Sequence, residues 1–331
     1  MIHALNVATD EGDWQAILRS SVRSVKELQH LLELQDEQVD WVDDSEFPLH
    51  IPRTFIQRME KRNPHDPLLL QVAPSKEELN SPKRYTTDPL RESEFTLNGG
   101  LVKKYPNRVL VIATQACPVH CRYCFRRHFD YSTNQLTDFQ STLDTLSNDP
   151  SIIEVILSGG DPLTLSNEKL DTLIQQLQRL KHVRMLRVHT RFPVMIPQRI
   201  THALVKILST TRLKVVIVVH INHPNEVDDS VQQAIERLRN AQIDVFNQSV
   251  LLKGVNDSVQ ILSKLMHRVF EIGVVPYYLH LFDPVAGAHH FDLPEMSAIA
   301  LWKELQSQLP GYLVPRLVRE VPHQPAKTIQ T

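Results

Sequence analysis

The feature that most constrains the fold of this chain is a regular alternation of short β-branched runs with helical patterns. The runs rich in Val, Ile and Leu occupy residues 109–114, 152–157, 183–188, 214–220, 244–251 and 274–281. Helical periodicity lies between and after them, at 138–146, 167–180, 197–208, 228–240, 258–272 and 294–309. Strands alternating with helices are typical of parallel βαβ units. The sequence therefore predicts an α/β fold with six parallel strands, as an open sheet or an incomplete barrel, between which periodicity does not choose.

The regions on either side of this alternation differ from it. Apolar residues recur at helical spacing from about residue 14 to residue 37, and a proline-containing stretch then runs to about residue 100. We expect residues 1–100 to form a helical N-terminal segment packed on a βα core at 101–310. Residues 311–331 are rich in proline and predict a largely non-helical C-terminal tail.

Composition narrows the classes of function. The formal net charge is −2 over 331 residues, which gives no overall field to attract nucleic acid. No stretch reaches the roughly 18 apolar residues that a membrane span needs. The N-terminus lacks the basic and apolar regions of a signal peptide. We therefore expect a cytoplasmic protein with reduced thiols, no membrane and no nucleic-acid partner.

The only cysteines of the chain, Cys117, Cys121 and Cys124, lie within eight residues just after the first predicted strand. Three thiolates at this spacing can hold three irons of a cubane cluster and leave the fourth iron without a protein ligand, whereas ordinary ferredoxin clusters use four cysteines. An open iron can chelate the amino and carboxylate groups of S-adenosylmethionine. The alternatives are a zinc site, which would need a fourth ligand such as a nearby histidine, and three unrelated core thiols. The cluster is the interpretation we prefer.

Other chemically suggestive residues also follow strands. The sequence Ser158-Gly159-Gly160-Asp161 comes after the second predicted strand, His220 ends the fourth, Gln248 lies near the end of the fifth and Asp283 follows the sixth. Ligands of α/β folds bind at the carboxyl ends of the strands. We therefore expect these residues to share one site with the cysteines.

The C-x3-C-x2-C motif followed by Gly159-Gly160-Asp161 resembles the radical S-adenosylmethionine superfamily. The resemblance implies a partial (β/α)6 barrel with a helical N-terminal segment and a C-terminal tail that closes the site. It implies a [4Fe–4S] cluster held by the three cysteines. It also implies that S-adenosylmethionine is bound by a wider set of residues, namely Ser158, Gly159, Gly160, Asp161, His220 and Gln248.

Further segments are similar to lysine 2,3-aminomutases, from about residue 95 to the end. They are YPNRV at 105–109, CFRRHF at 124–129, SGGDPL at 158–163, PQRI at 197–200, HPNE at 223–226, NQSVLL at 247–252 and PYY at 276–278. Members of that family use pyridoxal 5′-phosphate together with S-adenosylmethionine. A radical derived from S-adenosylmethionine removes a hydrogen from C3 of lysine, and the nitrogen migrates from C2 to C3.

The resemblance assigns roles to five more residues. Lys327 matches the catalytic lysine that binds pyridoxal phosphate as a Schiff base, and Lys104 matches a residue that contacts its phosphate. Arg126 matches the position that binds the substrate carboxylate. Asp283 and Glu320 match the two acids that receive the lysine ε-ammonium. The stretch 320–328 reads EVPHQPAKT, so it lacks the family's glycines and carries glutamate where the family has aspartate.

Within the family the chain most resembles the shorter bacterial enzymes that make (R)-β-lysine for elongation factor P, to which a separate ligase attaches it. The expected partners are therefore L-lysine, a reductant such as flavodoxin or ferredoxin, and a functional link to elongation factor P and its lysyl ligase. The alternatives are an aminomutase for another amino acid, such as glutamate, and a non-catalytic iron–sulfur protein. The sequence leaves open whether the substrate is free or protein-attached lysine, and whether the chain forms a homo-oligomer.

Overall fold

The structure is a computed structural model that describes residues 13–42, 47–97, 100–131 and 139–330. One mixed sheet of ten strands runs through the described chain in sequential order. The strands are β1 (Thr96–Leu97), β2 (Leu101–Tyr105), β3 (Arg108–Thr114), β4 (Glu154–Gly159), β5 (Met185–Thr190), β6 (Lys214–Val219), β7 (Asp244–Val250), β8 (Val275–His280), β9 (Arg316–Arg319) and β10 (Thr328–Ile329). Strands β3 to β9 are parallel, and β1, β2 and β10 pair antiparallel at the two edges. The predicted α/β fold with a central parallel sheet is confirmed.

Helices follow the strands in the predicted order. The helices are α1 (Asp13–Arg19), α2 (Val25–Leu32), α3 (Arg53–Ile56), α4 (Pro67–Leu70), α5 (Phe139–Ser147), α6 (Asn167–Leu177), α7 (Phe192–Met195), α8 (His202–Ser209), α9 (Asp229–Asn240), α10 (Val259–Glu271) and α11 (Glu295–Gln308). Side chains that accept a hydrogen bond from the first turn fix where several of them begin, because they satisfy N–H groups that lack a helical partner. These capping residues are Ser166 of α6, Thr201 of α8, Asp228 of α9 and Ser258 of α10.

Two sequence predictions need correction in detail. The helix predicted to begin at Pro197 begins at His202, because Thr201 caps it and residues Pro197–Arg199 form a separate 3-10 turn. The pattern over 14–37 forms two helices, α1 and α2. The second helix ends where Glu33 adopts the left-handed conformation at φ 55°. The predicted start of the 138–146 helix lies outside the described residues.

The parallel sheet has one more strand than the six that the sequence predicts. Strand β9 lies in the tail, and its sequence Arg-Leu-Val-Arg offers only two buried apolar residues, Leu317 and Val318. So short a run between charged residues carries no strand signal of its own. Its parallel pairing with β8, which joins Val318 to His280, supplies the order that the sequence pattern does not show.

The core lies on both faces of the parallel strands. In β6, Val215, Ile217, Val218 and Val219 are buried, as expected for a strand covered on both sides. The pairing register brings the carboxyl ends of neighbouring strands to one edge, where Thr114 lies opposite Gly159. No helix of the described residues is long and apolar enough to cross a membrane. The carboxyl edge of the sheet is where the cavity described next opens.

Candidate active site

A cavity of about 520 Å³ lies at the carboxyl ends of the parallel strands. Every residue that the sequence proposed for the site lines it. These residues are Lys104, Cys117, Cys121, Cys124, Arg126, Ser158, Gly159, Gly160, Asp161, His220, Gln248, Asp283, Glu320 and Lys327. They span residues 104 to 327 of the 331-residue chain, so the fold gathers groups that are far apart in sequence. We call the loop 115–131 the cysteine end of the cavity and the region of Asp283, Glu320 and Lys327 the lysine end.

The cysteine loop follows β3 and is held from outside by the N-terminal segment. The main-chain N–H of His120 donates to the carbonyl of His50 at 3.0 Å, and that of Arg122 donates to the carbonyl of Gln71 at 2.9 Å. The buried Arg122 guanidinium also donates to Glu78, with Nε 2.8 Å from Oε1. The loop is therefore anchored to the N-terminal segment by main-chain and charged contacts.

The three thiols face the cavity as free cysteines. Burial raises the pKa of Cys124 to about 11 and the pKa of Cys117 well above its ordinary value. The raised pKa keeps these thiols protonated in the absence of metal. Because cysteines bind metal as thiolates, iron binding would release their protons. Among the described residues, no group of three His, Cys, Asp or Glu is arranged around a single ion. A cubane cluster uses one cysteine for each of three irons, and the three cysteines of this loop supply that donor set.

The glycines after β4 let two loops pass close to each other. Gly159 has φ +109°, and a Cβ there would lie 2.7 Å from the carbonyl oxygen of Thr114. A Cβ on Gly160 would lie 2.4 Å from the carbonyl oxygen of Ala116. Residues with side chains do not fit at either position. The two glycines therefore seat the loop after β4 directly against the residues that precede Cys117.

Asp161 is fully hydrogen-bonded within the protein. Its carboxylate accepts from the hydroxyl of Thr190 at 2.8 Å, from the main-chain N–H of Arg191 at 2.7 Å and from that of Leu163 at 3.0 Å. Burial raises the pKa of Asp161 to about 6, against the effect of these donors. Asp161 therefore ties the loop after β5 to the loop after β4.

His220 and Gln248 form a pair on adjacent strand ends. The side-chain nitrogen of Gln248 lies 2.8 Å from Nε2 of His220. Because the amide nitrogen donates, Nε2 of His220 is the acceptor and the ring proton sits on Nδ1. Burial lowers the pKa of His220 to about 3, so the imidazole is neutral. The pair presents neutral polar groups to the cavity.

Arg126 is buried and paired with a residue that the sequence did not single out. Its Nε and Nη2 donate to the two carboxylate oxygens of Glu92 at 2.6 and 2.9 Å, and Nη1 donates to the hydroxyl of Ser158 at 3.0 Å. A bidentate pair of this kind fixes the orientation of the guanidinium plane. Burial works to lower the pKa of Arg126, but Glu92 outweighs it and the pKa is raised.

At the lysine end, Glu320 lies between two lysines. Its carboxylate accepts from Lys327, from Lys104 at 3.3 Å and from the hydroxyl of Tyr105 at 3.2 Å. Burial works to raise the pKa of Glu320, but the two lysines outweigh it and lower the pKa to about 2. Glu320 is thus ionised and engaged by the residues predicted to hold pyridoxal phosphate, and its role as an acid for the substrate ammonium stays a prediction.

Asp283 has a different environment from Glu320. Among the residues that the structure describes, no hydrogen bond or ion pair reaches its side-chain carboxylate. Burial raises the pKa of Asp283 to about 7, although the charge of Lys327 acts against it. A carboxylate in this state has open acceptor sites and gains from the arrival of a cation. Of the two predicted acids, Asp283 is the one that is available.

The sequence assigns no role to several residues of the cavity wall, although His189 and Arg191 follow the third predicted strand. Glu92 pairs with Arg126, and Arg191 donates to the sulfur of Cys121 at 2.9 Å. His189 and His280 are half-buried and line the cavity, and the buried Nε2 of each lacks a hydrogen-bond partner within the described residues. A signal existed for His189, Arg191 and His280, because each ends or follows a parallel strand. Glu92 lies before the sheet, where no pattern marked it.

Comparison with known proteins gives the family of the chain. The model of the radical SAM superfamily matches residues 111–265. The L-lysine 2,3-aminomutase of Haemophilus influenzae is 43% identical over 98% of this chain and 97% of that protein. The enzyme of the same name from Escherichia coli is 43% identical over 99% of this chain and 97% of that protein. The enzyme from Clostridium subterminale is 34% identical, covering 96% of this chain and 78% of that protein.

Solved structures agree on the fold. The crystal structure of Streptococcus suis SuiB bound to S-adenosylmethionine superposes with a TM-score of 0.50 at 15% identity, over 66% of this chain and 52% of that one. The match spans about half of that solved chain, and at this identity it indicates a shared fold alone. It places the parallel sheet of this protein among folds of the radical SAM type.

Proposed function

We propose, on the premise that this chain belongs to the L-lysine 2,3-aminomutase family of the radical SAM superfamily, that it is an isomerase converting L-lysine to (R)-β-lysine. The observation that carries the proposal is the meeting of three kinds of group in one cavity. The three-cysteine motif, Lys327 and the open carboxylate of Asp283 all line it. A cluster site alone would need neither of the last two residues.

The family implies a [4Fe–4S] cluster and S-adenosylmethionine, and the residues at the cysteine end suit both. Cys117, Cys121 and Cys124 would hold the cluster, with the S-adenosylmethionine beside it. When bound, these groups supply the radical that removes a hydrogen from the substrate. Because the carboxylate of Asp161 is already hydrogen-bonded, we expect the main chain of Gly159 and Gly160 to receive the methionyl amino group.

Dependence on pyridoxal phosphate is supported by the charges at the lysine end. Lys327 offers the amine that a carbonyl cofactor needs, and Lys104 offers a cation for a phosphate. Both lysines contact Glu320, which holds their ammonium groups close to each other and neutralises one of the two positive charges. When bound, the cofactor supplies a carbonyl carbon that holds the amino group of the substrate.

Lysine itself is favoured by the two remaining charged groups. Asp283 can receive the ε-ammonium, since its carboxylate has no recorded partner in the described chain. Arg126 can receive the α-carboxylate, because Glu92 fixes the guanidinium and one Nη2 hydrogen stays free, among the residues described, once Nη1 has bonded to Ser158 and, at 3.5 Å, to the carbonyl of Gly159. A glutamate side chain would bring a second carboxylate toward Asp283, which disfavours that alternative substrate.

We propose that the product, (R)-β-lysine, is attached to elongation factor P by a separate lysyl ligase in the cytoplasm. The resemblance of the sequence to the shorter bacterial enzymes of the family supports this placement. A flavodoxin or ferredoxin would supply the electron. A mass increase on elongation factor P, seen only when the ligase and this enzyme's product are both present, is the expected result.

The first experiment is an anaerobic assay of the reconstituted enzyme with pyridoxal phosphate, S-adenosylmethionine, dithionite and L-lysine. We expect β-lysine to form with little net consumption of S-adenosylmethionine, and Cys121→Ala to abolish it. L-Glutamate in place of lysine should give no β-amino acid. If only 5′-deoxyadenosine and methionine form, lysine is the wrong substrate; if an intact cluster gives neither, the proposed radical chemistry is wrong.

A further inference from the structure

We propose that Arg191 sets the reduction potential of the cluster held by Cys117, Cys121 and Cys124, with Glu226 opposing it from behind. The inference rests on the proposed function, because it takes the three cysteines to be cluster ligands. It concerns residues to which neither the motif nor the family resemblance gave a role. It is based on the contact between Arg191 and Cys121 and on the hydrogen bonds that hold Arg191 in place.

The contact joins a cation to a cysteine sulfur. Nη1 of Arg191 donates to Sγ of Cys121 at 2.9 Å, and the Arg191 residue is 6% exposed. A sulfur bound to iron keeps lone pairs that accept hydrogen bonds, and such bonds are among the factors that set cluster potentials. The contact therefore remains chemically meaningful once Cys121 is a ligand.

The guanidinium is held in place from its other side. Nη2 of Arg191 donates to the side-chain oxygen of Gln71 at 2.8 Å and to Oε2 of Glu226 at 3.0 Å. Its main-chain N–H donates to Asp161 at 2.7 Å. These partners come from three separate parts of the chain, so Arg191 cannot swing away from Cys121 without breaking several buried hydrogen bonds.

The partners are themselves fixed. Glu226 is fully buried, and its second oxygen accepts from the side-chain nitrogen of Gln71 at 3.1 Å and from the main-chain N–H of Asn222 at 2.9 Å. The side chain of Asn222 in turn donates to Gln71 and to the hydroxyl of Tyr123. Both Nη groups of Arg191 are hydrogen-bonded in this buried network, while its Nε has no partner among the described residues, and the bonds that are made hold the guanidinium in one orientation. A positive charge is thereby placed next to the sulfur of Cys121, and the negative charge of Glu226 is paired with that cation through its other nitrogen.

The electrostatic consequence has a definite sign. Reduction adds one electron, taken from an external one-electron donor, to a cluster and its thiolates that already carry negative charge. No bond at Arg191 forms or breaks, and no proton moves there. A buried cation with an N–H directed at a ligand sulfur stabilises the reduced form and raises the potential. Glu226 lies farther from the sulfur and partly offsets that effect.

The test is a potentiometric titration of the anaerobically reconstituted full chain without S-adenosylmethionine, followed by the EPR signal of the reduced cluster. At a fixed potential we expect Arg191→Gln to lower the ratio of reduced to oxidised cluster at least tenfold, a downward shift of about 59 mV for a one-electron couple. Glu226→Gln should shift the potential upward, because it removes the opposing charge. Arg191→Lys keeps the charge and should shift it less than Arg191→Gln.

A matched control is Arg187→Gln. Arg187 also lines the cavity, but it pairs with Glu154 and contacts no cysteine in the recorded bonds, so its removal should leave the potential unchanged. A wild-type potential in Arg191→Gln, or shifts of the same sign in Arg191→Gln and Glu226→Gln, would overturn the inference. Iron and sulfide analysis separates this failure from failure of the proposed function, in which the wild-type chain would bind no cluster. If Arg191→Gln does not fold, Arg191→Lys and Glu226→Gln still decide the sign.

Discussion

The two ends of the cavity differ in how their charged side chains are paired. At the cysteine end the arginines around the loop are paired with carboxylates. The pairs are Arg122 and Arg127 with Glu78, Arg126 with Glu92, and Arg191 with Glu226. At the lysine end Glu320 is shared by two lysines, and Asp283 has no recorded partner in the described chain.

This difference teaches what each end is built to do. Buried charges that are paired before any ligand arrives give a rigid frame, which a cluster site needs because its three ligands must stay in place. A buried carboxylate left without a partner costs stability until a cation binds it. The cysteine end is thus completed by the protein, whereas the lysine end is completed by its ligand.

The largest expected effect is that one substitution removes pyridoxal phosphate alone and another removes the cluster alone. Lys327→Ala should lose nearly all bound pyridoxal phosphate and keep its iron and sulfide, because the recorded contacts of Lys327 involve none of the cysteines. Cys121→Ala should lose the cluster and keep pyridoxal phosphate. Cofactor released from the purified proteins and their iron content measure both.

A matched control for Lys327→Ala is Lys103→Ala. Lys103 adjoins Lys104 in sequence but pairs with Asp149 and does not line the cavity, so this variant should retain both groups. If either Lys327→Ala or Cys121→Ala loses both groups, the two ends are not independent and the comparison fails.

Part of this architecture was predictable from the sequence. The six β-branched runs and the helices after them were predicted to within a few residues, since strands buried on both faces read as continuous apolar runs. The cysteine motif and the polar residues after each strand predicted a common site at the carboxyl ends. The structure brings those residues to one cavity.

The rest depends on contacts between distant parts of the chain. Strand β9 is too short and too charged to show a pattern, yet it positions the tail with Glu320 and Lys327. The pairing of Arg126 with Glu92 and that of Arg191 with Glu226 join residues about 35 apart in sequence. Charge alone does not say which partner a buried arginine will find, so these networks had no sequence signal.

A smaller effect is expected on stability at the cysteine end. Glu78 is 6% exposed and holds two buried guanidinium groups, so Glu78→Ala should lower the free energy of unfolding by about 3–5 kcal/mol. Glu77→Ala is the matched control, because its side chain is 60% exposed and its loss should change stability by less than about 0.5 kcal/mol. Urea unfolding of the unloaded proteins measures both.

The pH dependence of that loss follows from the pKa of Glu78. Burial works to raise it, but Arg122 and Arg127 outweigh burial and lower the pKa below 4.5. The stabilisation is therefore complete above pH 4.5 and declines as the pH falls through the lowered pKa. A difference between wild type and Glu78→Ala that grew on acidification would contradict the pairing.

At the lysine end the expected effect on stability has the opposite sign. Burial raises the pKa of Asp283 from 3.8 to about 7, so the wild-type fold loses stability as the pH rises through this range. Asp283→Asn lacks that loss and should be more stable than wild type at pH 8, unlike Glu78→Ala. Thermal unfolding of the unloaded proteins at pH 5 and pH 8 measures the difference.

The same substitution should weaken lysine use while it stabilises the fold. With a pKa of about 7, the ionised fraction of Asp283 rises about tenfold between pH 6 and pH 8, and the KM for lysine should fall by a similar factor in wild type. Asp283→Asn should show a high KM without this pH dependence. A wild-type profile in Asp283→Asn would mean that the ammonium of lysine is received elsewhere, and that the lysine end is not completed by its ligand at this carboxylate.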